Sequence, residues 1–320
     1  MRGMVATQLD DQSDEMLASC DVVAIGENSI DLVYQLAGEL TPGGKRRIAR
    51  HRVSPGGQAA TTACTCAALG LRCRYIGAFG TDDHGRMIRE ALDARQVDTA
   101  GSFTREAPNR YAVILIDGGT GERSVLWQRD AALSLEPGDI TAQHIRGGRL
   151  LHVDTVDEEA AIAAARLARA AGMDVTTDID TVTPRTPTLV EAATFPVFAE
   201  PVPAALTGEP DPARALRALR QRHGGLLCVT LGARGAMLLD GDRLHHAPAF
   251  DVHAVDTTGA GDVFRGALIY ARLRGDDPAT MLRFANAAAA ISCTREGAIG
   301  GVPTRAEIET LLATKSTKTG

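Results

Sequence analysis

Six short apolar runs punctuate the chain, at 21–26 (DVVAIG), 74–79, 149–154 (RLLHVD), 173–179, 195–199 and 226–231 (LLCVTL), and stretches of helical periodicity separate them. Strands spaced in this way pair in parallel, because a parallel partner requires a long crossover rather than a tight hairpin. Helices are expected at 57–69, 83–95, 157–171, 211–222, 259–274, 277–293 and 304–313. Such strands need cover on both faces, so the expected fold is α/β, a doubly wound sheet with flanking helices.

Two regions break the rhythm. Residues 31–55 and 103–127 contain β-rich pieces, including YAVILID at 111–117 and RSVLW at 123–127, joined by the turn Gly118-Gly119-Thr120-Gly121. They are long enough to project from the core as a small β-rich lid, and an exposed apolar β surface favours pairing with a second copy. Residues 1–19 read as a flexible N-terminal tail, 20–314 as one domain carrying the lid, and 315–320 as a flexible C-terminal tail.

A chain of 320 residues can bury about three quarters of its unfolded surface, enough for a single enzyme-sized core. Its net charge of -6 gives no support to nucleic-acid binding. No apolar run approaches the roughly 20 residues that span a bilayer, and the acidic start lacks the basic and apolar regions of a secretory signal, so no membrane partner and a cytoplasmic location are expected. Of the cysteines Cys20, Cys64, Cys66, Cys73, Cys228 and Cys293, only Cys64 and Cys66 are close. Two positions apart on a helix they face different directions, which favours buried thiols over a zinc site.

The segment VDTTGAGDVFRGALIY at 255–270 carries the clearest chemistry. Thr257 and Thr258 can bond locally or to phosphate, Gly259 and Gly261 let backbone approach an anion, and Asp262 opens an apolar helix whose inward face carries Phe264, Ala267, Leu268 and Ala271. Asp262 is either a cap that favours the helix dipole or a base that takes a hydroxyl proton. Asp31, in Gly26-Glu27-Asn28-Ser29-Ile30-Asp31 at the end of the first strand, caps local backbone or receives ligand hydroxyls, with Asn28 a neighbouring candidate. Gly56 and Gly57 make a tight turn or touch a ligand. Lys45 is the only lysine outside the C-terminal tail, and it is either a solvated group or a compact cation for an acidic substituent. Thr230, Gly232 and Gly235 form a plain strand-to-loop turn or a close approach to a nucleotide. Asn286 bonds between helices or borders that nucleotide. Asp178 and Asp180 either bond to backbone, the favoured reading, or shape a phosphate-metal region through water.

DTTGAGDxF resembles the second signature of the ribokinase-like (PfkB) sugar kinases, and LGLRCRYIGAFGTDDHG at 69–85 resembles the first, with Leu69-Gly70 and the spacing Gly77, Gly80, Asp82, Gly85 in place. The resemblance implies ATP with Mg2+, a sugar acceptor, and a homodimer formed through the lid. It makes Asp262 the general base, Gly259, Ala260 and Gly261 an anion hole, and Asn28, Asp31, Lys45, Gly56, Gly57 and Asp262 the sugar contacts. It assigns Thr230, Gly232, Gly235, Thr257 and Asn286 to ATP. Many members place Lys or Asn after the glycine pair and Asn four positions beyond it; Gln58 and Thr61 stand there. An Asn-x-x-Glu element common in the family is Ala199-Glu200-Pro201-Val202, so no direct metal ligand is assigned, although Glu200 could organise water around magnesium.

Within the family, similarity to the sulfofructose kinases spans most of 20–303, including PGGQAAT, AEPVPAALTG and ISCTREGAIGGVP. There the lysine matching Lys45 contributes to sulfonate recognition, whereas Thr155 stands where a second, arginine, contact is found. The implied acceptor is a ketose such as fructose or sulfofructose. A nucleoside kinase and a non-catalytic small-molecule-binding homologue are the alternatives.

Overall fold

The computed structural model describes residues 19–41, 43–120 and 122–316. The strands, in chain order, are β1 (Val22–Ile25), β2 (Ser29–Leu36), β3 (Ile48–Gly56), β4 (Cys73–Ile76), β5 (Ala78–Gly80), β6 (Phe103–Arg105) and β7 (Tyr111–Asp117). They continue as β8 (Arg123–Gln128), β9 (Leu150–Asp154), β10 (Asp174–Asp178), β11 (Val197–Ala199), β12 (Leu227–Thr230), β13 (Ala236–Asp240) and β14 (Arg243–Ala247).

The body is a twisted sheet in the order β4-β1-β9-β10 followed by β11-β12-β13-β14, the two parts joined by bridges Thr176 to Phe195 and Ile179 to Phe198. All pairings from β4 to β12 are parallel. Alternation then splits the side chains between two layers. Val23, Ile25, Leu151 and Val153 pack into one buried cluster and Val22, Ala24 and Leu150 into another, beneath the helix Gln58–Ala68. Each fully buried Leu or Val of this kind contributes about 1.5–3 kcal/mol.

Every expected strand and helix has a counterpart, but the sheet ends differently. Residues 236–247 form the antiparallel hairpin β13–β14, turned at Gly241, whose φ is +55°. The short helices Thr186–Ala192 and Pro201–Thr207 were also not anticipated. The run at 74–79 breaks at Gly77 into β4 and β5, and β6 pairs with β5 on the body, so the second lid segment begins at β7.

The lid is a sheet in the order β3-β2-β7-β8. It is tied to the body by ion pairs of Arg52 with Asp256, Arg50 with Glu296 at 2.6 Å, and Arg129 with Glu27 at 2.9 Å. Val53, Val125, Leu126 and Trp127 lie exposed on it. Among the described residues no helix is long and apolar enough to cross a membrane. The expected N-terminal tail lies outside the described residues except for Ser19, and the last helix, Arg305–Ser316, runs into the segment expected as the C-terminal tail.

Candidate active site

Asp262 sits in the first turn of the helix Ala260–Arg274, where unpaired backbone amides and the helix dipole favour a negative charge. Gly259 caps that helix with φ +76°, and a Cβ there would lie 2.6 Å from the Ala298 Cβ. Gly261 is already helical, so the special backbone geometry belongs to Gly259. What Gly261 provides is space, because a Cβ on it would lie 2.8 Å from Arg265 Nη1. Asp256 fixes the approach to the turn, accepting from Thr258 N at 3.0 Å, Thr258 Oγ1 at 2.7 Å and Gly297 N at 2.8 Å.

Helix Ala260–Arg274 lies close against helix Gln58–Ala68. A Cβ at Gly266 would meet Thr65 Cβ at 2.5 Å, and Thr62 Oγ1 donates to the Asp262 carbonyl at 3.2 Å. The glycine turn Gly56-Gly57 that opens the second helix therefore stands beside the Asp262 turn. Gly57 has φ +98°, and a side chain on it would reach Asn28 Cα at 2.5 Å and the Glu27 carbonyl at 2.7 Å. From Gly56 a Cβ would lie 3.2 Å from Asp31 Oδ2 and 3.5 Å from Ala298 Cβ. Ala298 thus touches the space of both Gly56 and Gly259, which brings Asp31, the glycine pair and the Asp262 turn into one cluster. Burial, then the charges of Glu27 and Asp256, push the Asp31 carboxyl up to about 6, opposed by Arg52.

Of the expected sugar contacts, Asn28 borders the glycine pair with its amide engaged in the protein, while Lys45 lies at a distance. Asn28 is fully buried, donating to Tyr75 Oη at 3.0 Å and the Ala78 carbonyl at 2.9 Å while its Oδ1 accepts from Asn109 at 3.0 Å. Its amide braces the loop after β1 and has its hydrogen bonds within the protein. Lys45 is exposed between β2 and β3, beyond the far end of β2 from Asp31. Groups with no sequence signal join the site instead: Glu27, whose carboxylate meets Arg129, and Asp154, which accepts from Glu27 N at 2.7 Å and Ala59 N at 3.2 Å. Gln58 reaches away, donating to Asp180 Oδ2 at 2.9 Å.

On the other side of the turn lies a cavity of about 530 Å³, in the usual range for small-molecule sites. Thr230, Gly232, Gly235, Thr257 and Asn286 all line it, and it ends at Ala260 and Gly261, next to Asp262. Asn286 also donates to the Ala247 and Pro248 carbonyls at 2.9 and 3.2 Å, so its amide holds the 247–248 segment at the cavity wall rather than another helix. Phe250, Val252, Ala289 and Cys293 add an apolar wall suited to a flat ring, none of it marked by a motif. The six cysteines are free, five buried and Cys293 half-buried.

A cavity of small-molecule size ending at Gly261, with a carboxylate and a glycine pair close to the same turn, is an arrangement that can align a phosphoryl donor with an acceptor. The model of the pfkB family carbohydrate kinases matches residues 20–305. The chain belongs to the pfkB carbohydrate kinase family. A maize protein named fructokinase-2 is 30% identical over 320 residues, covering 91% of this chain and 94% of that protein. A Halopiger xanaduensis protein named ATP-dependent ribose-1-phosphate kinase is 31% identical over 256 residues, covering 80% and 86%. The crystal structure of a protein assigned as a ribokinase from Agrobacterium tumefaciens superposes with a TM-score of 0.86 at 29% identity, covering 94% of this chain and 99% of that one. This pfkB kinase therefore has the ribokinase-like fold and is an ATP-dependent sugar kinase. Among its described residues no group of three or more His, Cys, Asp or Glu could hold a metal ion, and Glu200 is ion-paired with Arg234.

Proposed function

We propose that the enzyme transfers the γ-phosphoryl group of MgATP to a hydroxyl of a ketose such as fructose or sulfofructose. The observation that carries this reading is the single cluster formed by Asp31, Gly56, Gly57 and the Asp262 turn, set against the cavity that ends at Gly261. Asp31 receives the sugar hydroxyls. Asp262 takes the proton of the attacking hydroxyl, and the amides of Gly259, Ala260 and Gly261 face the transferring group. Thr230, Gly232, Gly235, Thr257 and Asn286 border ATP. The maize relative's name supports a ketose.

Within this reading, Lys45 and a relative named for a sugar phosphate speak for the acidic ketose over the neutral one. Because Lys45 projects from the lid beyond its own Asp31, it serves such a substrate across a lid-to-lid homodimer, for which the exposed Val53, Val125, Leu126 and Trp127 supply an apolar surface. We place the enzyme in the cytoplasm, where ATP is available. Sugar and nucleoside panels with MgATP, read by ADP release and by product identity, test the assignment. Sugar-dependent ADP release that is highest with ketoses supports it; a nucleoside preference, or no acceptor-dependent turnover, overturns it. A monomer by light scattering would end the dimer proposal.

A further inference from the structure

Directly beneath the anion turn lies a buried cation that the family motif does not specify. Arg265, one helical turn on from Asp262, is 3% exposed, and its Nη2 lies 2.6 Å from Asp178 Oδ1 at the end of β10. Its Nη1 occupies the space next to Gly261, so the same guanidinium that meets Asp178 also reaches the turn that carries Asp262, whose charge interacts with that of Asp178. Burying the Arg265–Asp178 pair beneath the half-buried Asp262 costs free energy unless the charges pair closely, and a purely apolar packing would avoid that cost.

We propose that Arg265 is a positioning residue: it holds Asp178 against Asp262 and supplies the counter-charge that keeps Asp262 ready to accept the hydroxyl proton. The proposal rests on Asp262 being the base. In the transfer, the acceptor O–H proton passes to an Asp262 carboxylate oxygen as the acceptor oxygen bonds to the γ-phosphorus. The bond from that phosphorus to the bridging oxygen breaks, and its electron pair leaves with ADP. Two carboxyls that repel one another around one guanidinium cannot both ionise readily without it, so without the cation the pair holds a proton and Asp262 loses its function as a base.

The surroundings agree. Burial and then Asp178 push the Asp262 carboxyl well up, and Arg265 opposes both. Asp178 is likewise raised by burial, with Arg265 lowering and Asp180 raising. Glu27, beyond β1, adds negative charge to both. His152 on β9 is fully buried with both ring nitrogens unpartnered, and burial, then Arg265, bring it down to about 3. Cys228 on β12 is pushed by burial up to about 12. Both are neutral at working pH, which leaves the compensation to Arg265.

The test is the pH profile of kcat at saturating sugar and MgATP for the wild type, Arg265→Gln, Arg265→Lys and Asp178→Asn, with nucleotide affinity measured for each. Removing the cation should move the acid limb of Arg265→Gln up by about one pH unit or more and lower kcat near neutrality about tenfold. Arg265→Lys should recover part of both effects. Removing the like charge in Asp178→Asn should move the limb the opposite way, to lower pH, with ATP affinity within about twofold. A loss of kcat with unshifted limbs, or shifts in the same direction for Arg265→Gln and Asp178→Asn, overturns the proposal. If Arg265→Gln does not fold, the direction of the Asp178→Asn shift decides. Near-wild-type turnover in Asp262→Asn would instead remove the base assignment itself, so the two failures are distinguishable.

Discussion

Arg52 of the lid strand β3 is ion-paired with Asp256, the residue that opens the turn leading to Asp262. Burial alone would raise the Asp256 carboxyl, but donors from Gly297 and Thr258, with Arg52, hold it below the usual range. One carboxylate therefore joins the lid, the anion turn and the segment at Gly297. Arg52→Ala should free the lid edge and raise KM for the sugar about tenfold, a loss of about 1.4 kcal/mol, while KM for ATP stays within about twofold. Equal rises in both would show that the pair orders the whole site rather than the lid.

Asp262→Asn keeps the shape of the side chain and removes its basicity. Turnover should fall about 100-fold or more with nucleotide binding retained, as read by steady-state kinetics and calorimetric ATP titration.

At the two glycines of the turn, the structure separates two kinds of damage. Gly259→Ala meets a left-handed φ of +76° and the Ala298 side chain, so it should lower thermal stability as well as activity. Gly261→Val has an ordinary helical backbone but intrudes on Arg265. It should remain folded by circular dichroism and lose transfer at saturating sugar and ATP; full activity would show that the space under Gly261 is not needed.

Asp31 sets a pH dependence of binding. Its carboxyl is raised to about 6, so it is ionised above that pH and, in the proposed role of receiving sugar hydroxyls, loses acceptor capacity as it protonates when pH falls through that value. KM for the sugar should therefore rise below about pH 6, with the inflection absent in Asp31→Asn, whose KM is high throughout. For folding the sign is opposite. The raised carboxyl adds stability at pH below its unfolded value near 3.8, and that contribution is lost as pH rises toward 6.

Lys45→Ala discriminates between the two acceptor readings. If the lysine meets an acidic substituent, KM should rise much more for sulfofructose than for fructose, and the difference should shrink with salt. Equal effects on both sugars would leave a neutral ketose in front.

Much of this architecture was legible in the residues because it is written in local patterns. The apolar runs and helical periods located the parallel strands, and the turn at 255–262 located the start of the helix that carries Asp262. The hairpin β13–β14 escaped because its strands carry charged and histidine residues at 240–246 that mask alternation. The partners of the Asn28 amide, Tyr75, Ala78 and Asn109, could not be read from the sequence because they are distant in it. Arg265 was invisible for the same reason: an arginine in an apolar helix has no meaning until β10 brings Asp178 to it.

The outer strands of the lid sheet are β3 and β8, and β8 leaves Val125, Leu126 and Trp127 more than half exposed, at 57%, 57% and 66%. A free strand edge with such side chains is comfortable only when something covers it. If a second copy does so, dilution uncovers it, and turnover per mole of chain then depends on how much enzyme is in the assay. Rate measurements at nanomolar enzyme would report the dissociation of a complex as much as the chemistry of its active sites, and chains waiting for a partner would be the species most prone to precipitate during expression.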